Sequence, residues 1–192
     1  MRYFSLLPNA LLIVQCFRCK YYLIMSTANT VIITSLDGSY SNEVAWYGPN
    51  LRRTLTELTI EQLTYSDTYE GYTAWEVALH CAYWKWVVRR GLTGENDEFP
   101  YFPANFPQLH GKCTEATWMK DLQYIDEQHE RLKNATRVLS DEQLESFWID
   151  EHGVAQDGSV AHEIIGLALH DAYHTAQIRS MGIPGLAEVK RQ

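Results

Sequence analysis

Apolar residues recur at helical spacing in four stretches of this chain. Residues 40–58 place Val44, Leu51, Leu55 and Leu58 on one stripe, the pattern of a helix with one buried face. Gly48-Pro49 lies inside it, so this helix either kinks there or restarts with Pro49 near its first position. A second helix is predicted over 73–90. Its start, Thr73-Ala74-Trp75-Glu76, is a capping box, in which hydroxyl and carboxylate satisfy amides that have no partner within the helix. Gly91, just after Arg89-Arg90, is the predicted stop. A third helix over 114–139 buries Trp118, Leu122, Ile125, Leu132 and Leu139, and at 1.5 Å per residue it would be about 39 Å long. The fourth opens at Ser159, after Asp157-Gly158, and ends near Met181, before Gly182 and Pro184. No stretch alternates convincingly with period two, so the expected fold is all-α, an up-down four-helix bundle.

The connections add detail. Residues 58–63 and 139–144 echo one another, Leu-Thr-Ile-Glu-Gln-Leu against Leu-Ser-Asp-Glu-Gln-Leu. Each is expected to follow a long helix and carry a capping box, which suggests two helix-loop-helix halves. Between the halves, residues 91–113 interleave Pro100, Pro103 and Pro107 with Phe99, Tyr101, Phe102 and Phe106. A loop this long is usually functional or disordered, and its aromatics favour a flap packed over a pocket, between helices 2 and 3. Residues 1–24 are apolar but interrupted by Asn9, Gln15, Arg18 and Lys20, too broken for a membrane span. They read as an extension outside the fold or a start-site artefact, leaving residues 25–192 as the domain.

Composition narrows the function. With 192 residues, 46% of them hydrophobic and 21% charged, the chain has enough length and apolar content for one globular domain with a real core. A net charge of -8 with scattered Lys and Arg argues against nucleic acid as a partner, because phosphate binding needs clustered cations. Four cysteines do not make a disulfide framework at this length and suit a reducing cytoplasm. Cys16-x-x-Cys19 has no second pair to complete a zinc site.

The candidate chemistry lies in the last predicted helix. His170 and His174 are four apart, so on a helix they stack on one face and can grip one ion. Such pairs also arise by chance, and the surrounding residues are more informative. Glu163, Gly166, Tyr173 and Gln177 share that face, while Ile164, Ile165, Leu167, Ala168, Leu169, Ala172 and Ala176 are apolar. A merely solvated face would carry Lys and Arg; a buried polar strip needs partners. His80 is the natural third ligand, set among Val77, Ala78, Leu79, Tyr83 and Trp84. Alone it would read as a core histidine bonded to a carbonyl or tyrosine. Three imidazoles plus an open position suit zinc, nickel, copper or iron(II) in a reactive site. Glu76 could orient a ligand or act as a base, although capping already explains it.

With these residues the chain, over about 40–186, resembles the DinB/YfiT-like superfamily of bacterial metal-binding four-helix bundles. The resemblance rests on Thr73-Ala74-Trp75-Glu76-Val77-Ala78-Leu79-His80 and on His170-Asp171-Ala172-Tyr173-His174-Thr175-Ala176-Gln177-Ile178. Ala176 stands where that family usually has glycine. The resemblance implies one divalent metal ion per chain, zinc or nickel, held by His80, His170 and His174, often in a homodimer. It implies a metal-dependent enzyme acting on a small-molecule substrate, either a thiol-dependent S-transferase or isomerase using a low-molecular-weight thiol, or a hydrolase using water. Tyr173 and Gln177 would then support the ligands or orient substrate.

Other readings compete. His170-Asp171-x-x-His174 differs by one methylene from the zincin protease motif, but Asp171 is short for the base and only eighteen residues follow His174. A di-iron bundle wants paired Glu-x-x-His motifs. A non-catalytic metal- or small-ligand-binding bundle of a stress response would keep the metal without turnover. Cys81 points about 100° away from His80 around the helix and reads as core. His110, His129, His152 and His162 read as loop or surface residues without a role.

Overall fold

The computed structural model describes residues 26–41, 48–109, 111–150 and 152–186. The Ser26 side chain accepts from the Asn29 amide and opens α1, Thr27–Tyr40. Short helices α2, Leu51–Thr56, and α3, Ile60–Leu63, follow, then α4, Ala74–Thr93, and α5, Glu115–Arg137. A short α6, Asp141–Glu145, leads into an antiparallel hairpin of β1, Phe147–Ile149, and β2, Ala155–Ser159. The chain then enters α7, Val160–Ser180. The described residues are thus mostly helical, with one small two-stranded sheet among them. The long helices pack in a ring: α4 lies against α5 and α7, and α1 against α7 and α5. Among the described residues no helix is long and apolar enough to cross a membrane.

Capping residues set most boundaries where the sequence places them. Thr73 caps α4 reciprocally with Glu76, and Thr59–Gln62 and Ser140–Gln143 do the same for α3 and α6, each satisfying two otherwise unbonded amides. The echoed segments are therefore equivalent capped turns, but the first follows only the six-residue α2.

Three expectations need correction. The segment 40–58 is not one helix: of the two alternatives it restarts after Pro49, where Asn50 caps a fresh helix by accepting from the Arg53 amide, and residues 42–47, with Val44, lie outside the described residues. The long helix instead comes earlier, as α1, burying Ile32, Ile33, Leu36 and Tyr40. Its run Thr-Val-Ile-Ile-Thr is β-branched and poor in helix propensity, so packing rather than local preference makes it helical. Secondly, α4 passes through Gly91 and ends at Gly94, whose left-handed backbone (φ 69°) caps the last turn. Gly91 serves another purpose, since a Cβ there would collide with the ring of Trp148. Thirdly, β1 and β2 were not expected. Three residues with only Trp148 turned inward are too few for alternation to register. Residues 1–24, including Cys16 and Cys19, lie outside the described residues.

The core has two apolar halves. One gathers Leu55, Trp75, Leu79, Trp118, Ile125 and Ile178; the other gathers Leu36, Val88, Leu132, Trp148 and Ile164. Between them, in sequence along each long helix, sit Lys85 on α4, Gln128 and His129 on α5, and Asp171 on α7, all buried. Such groups cost several kcal/mol each unless paired. Lys85 Nζ meets Asp171 at 2.7 Å and lies over the Tyr40 ring, 4.2 Å from its centroid. His129 stacks on Tyr40 at 4.2 Å. The reading of His129 as a surface residue is therefore wrong: one face of α5 crosses this polar layer.

Candidate metal centre

The polar layer adjoins the point where α4 and α7 bring three histidines together. His80 Nε2 lies 3.1 Å from His170 Nε2, and His174 Nε2 lies 3.0 Å from the same atom. The i, i+4 spacing of His170 and His174 puts both rings over one turn of α7, and α4 presents His80 opposite them. His80 and His174 are buried, while His170 is half-exposed.

Two of the three rings are held from behind. His80 Nδ1 donates to the Asn105 carbonyl at 2.5 Å, and His174 Nδ1 donates to Gln177 Oε1 at 2.6 Å. A neutral imidazole carries one proton, so both Nε2 atoms are left as bare lone pairs aimed at His170. No described residue pairs with His170 Nδ1. All three rings are kept neutral. Burial brings His80 down to about 4, and burial followed by the neighbouring His174 and His80 brings His170 down to about 3. Burial likewise lowers His174, against the opposing pull of Gln177. Neutral, tautomer-fixed imidazoles are what a borderline cation requires.

The residues fit a metal ion on grounds internal to the site. His170 Nε2 carries at most one proton for the two Nε2 atoms that face it at 3.1 and 3.0 Å, so at least one contact sets lone pair against lone pair unless a cation lies among them. Two other ligand-like clusters fit less well. In Cys81, His170 and Asp171, the carboxylate is already engaged by Lys85, and burial pushes the Cys81 thiol well above its ordinary range. In Asp37, His129 and Glu130, the Lys133 ammonium sits on both carboxylates, at 2.7 and 2.8 Å. It occupies the place a cation would take.

The loop after α4 covers one side of the histidines. Its first residues are pinned by buried Arg89, which binds Glu95 and reaches Asp97 at 2.6 Å, and by Arg131. Tyr101 donates to Asp121 at 2.8 Å, the carboxylate that also accepts from Trp75. Phe106 then stacks on His80, centroids 3.9 Å apart and planes within 13°. Glu76 does not reach the site: one oxygen caps α4 and the other accepts from the Leu109 amide at 3.4 Å. Asp171 turns inward to Lys85, which removes it as a protease-type base.

The five site residues read from the sequence divide clearly. His80, His170 and His174 meet, Gln177 holds His174, and Tyr173 touches His174 only by its ring edge, at 5.0 Å. Asn105 and Lys85 were missed as site residues, while Phe106 was read only as part of the flap and Asp171 only as a base that is too short. Asn105 contributes a backbone carbonyl, which carries no sequence signal. Lys85, a charge between Trp84 and Trp86 in a stretch of largely buried residues, is a signal that does exist.

These features define a helical protein with a buried three-histidine cluster suited to a divalent ion. A family profile for the DinB superfamily matches residues 46–178, and the chain belongs to that superfamily. The match covers α2 to most of α7 and leaves out α1. No curated protein and no solved structure matches the chain significantly.

Proposed function

We propose that this protein is a metal-dependent enzyme built on an up-down four-helix bundle, holding one zinc or nickel ion with His80, His170 and His174. The observation that carries this reading is the convergence of three neutral Nε2 atoms, two of them with their Nδ1 protons already committed. A bound divalent ion would lower the pKa of a coordinated thiol or water and so supply a nucleophile near neutral pH. The protein's own residues prepare for that chemistry. Asn105 and Gln177 fix which ring nitrogens are free, Phe106 shields His80 from solvent, and half-exposed His170 leaves one side open to a small molecule. Tyr173, 63% exposed, stands where it would orient a bound substrate. The substrate is a small molecule, and the co-substrate a low-molecular-weight thiol or water, giving an S-transferase, isomerase or hydrolase. The homodimer and the cytoplasmic setting rest on the family resemblance and on sparse cysteine use.

The test is metal content per chain by mass spectrometry on untagged protein, beside His80→Ala. Near one equivalent in the wild type, lost in the variant, supports the reading and justifies a screen of thiols and hydrolysable substrates. No metal in either, even after zinc or nickel is supplied, overturns it.

A further inference from the structure

Large apolar side chains that a folded chain leaves in water are informative when they cluster at a chemically competent point. Here Tyr72, Trp84, Leu169 and Tyr173 are exposed near the histidines. Trp84, one turn after His80, is 36% exposed and stands edge-on to the His80 ring, with centroids 6.5 Å apart. Tyr173 is 63% exposed and edge-on to His174. Leu169, one turn before Tyr173 on α7, is 68% exposed. On the loop side, Tyr72 (39% exposed) stacks on Phe106 at 4.3 Å, and Phe106 stacks on His80. This makes a column of three parallel rings running from solvent to a candidate ligand. One turn before His170, Gly166 carries no side chain, and the space beyond its Cα is empty.

Charge points the same way. Among the described residues, Trp84, Phe106 and Tyr173 stand against the rings of His80 and His174. The nearby Lys85 is buried and committed to Asp171. An anion lying beside the ion would find the Lys85 ammonium already taken by Asp171, whereas a flat apolar group would find ring edges on both helices. Rings prefer such edge-to-face partners, and each contact adds to the gain from burying apolar area.

Resting on the metal reading above, we infer that the site takes an aromatic ligand: a planar, uncharged ring bearing the metal-binding donor, seated between Trp84 of α4 and Tyr173 of α7. The ring column of Tyr72, Phe106 and His80 forms the opposite wall, and Gly166 leaves the room.

Two hydroxamates with the same donor and different bodies test this on the zinc-loaded full chain by titration calorimetry. Benzohydroxamate should bind about ten-fold tighter than acetohydroxamate, the size of one good aromatic contact. Trp84→Ala and Tyr173→Ala should each shrink that margin while zinc content stays as in the wild type, and Trp84→Phe should keep most of it. Equal affinities in the wild type, or a margin untouched in both alanine variants, overturn the inference. Failure to retain zinc, seen before any hydroxamate is added, overturns the metal reading and this inference with it. The two failures are therefore distinguishable.

Discussion

Lys85 Nζ on α4 lies 2.9 Å from Asp171 Oδ1 and 2.7 Å from Oδ2 on α7, with both side chains almost wholly buried. The pair joins the two helices that carry the histidines, and Asp171 is the immediate neighbour of His170. Removing one partner leaves an uncompensated buried charge, so Lys85→Met should cost about 3–5 kcal/mol, while Lys85→Met with Asp171→Leu should recover most of it. Urea unfolding of the single and double variants checks this. A double variant no more stable than the single one would mean that the pair is not the source of the cost.

Gln177 should act on metal affinity rather than on folding. Its Oε1 fixes the tautomer of His174, and loss of such a partner typically weakens metal binding about 10–100-fold. Gln177→Leu should therefore release zinc to a chelating dye at correspondingly lower chelator concentration, with unchanged circular dichroism. Asn105→Ala is the matched control. His80 bonds the backbone carbonyl of Asn105, so the side chain should be dispensable.

At Gly91 the two effects of adding a methyl have opposite signs. In a helix interior Gly→Ala ordinarily stabilises by about 0.5–1 kcal/mol. Here the added Cβ would run into the Trp148 ring, and overpacking of this kind costs about 1–3 kcal/mol. Gly91→Ala should lower Tm by roughly 2–4 °C per kcal/mol of net loss. A rise in Tm would show that the hairpin carrying Trp148 yields at no cost.

Acid should destabilise the fold in part through His129. Burial, reinforced by Lys85 and Lys133, lowers this imidazole to about 2, against an unfolded value near 6.5. Between those limits the unfolded chain binds a proton that the folded chain refuses. Stability from this group is complete above about pH 6.5 and falls by up to about 1.4 kcal/mol per unit as pH drops towards 2. His129→Phe should flatten that slope between pH 6 and 4, measured by denaturant midpoints. An unchanged slope would mean that His129 takes up its proton in the folded state.

Local signals carried the helices that begin at Thr73, Thr114 and Ser159, because a cap is chemistry among residues three apart. They failed for α1, whose β-branched run is helical only because Ile32 and Leu36 have a core to enter. They failed also for Gly91, whose partner Trp148 is far along the chain. The metal-ligand candidates were legible because His170 and His174 share a helix face and His80 is a polar group stranded in an apolar stretch. By itself the sequence determined the periodicity, the caps and the misfit of its inward histidines, since each depends on neighbours within one or two turns. Only the tertiary structure decided that three Nε2 atoms meet, that a loop carbonyl and Gln177 orient two of them, and that Lys85 answers Asp171. Those are contacts between distant segments, and their distances follow from how α4 and α7 pack, which no local spacing records.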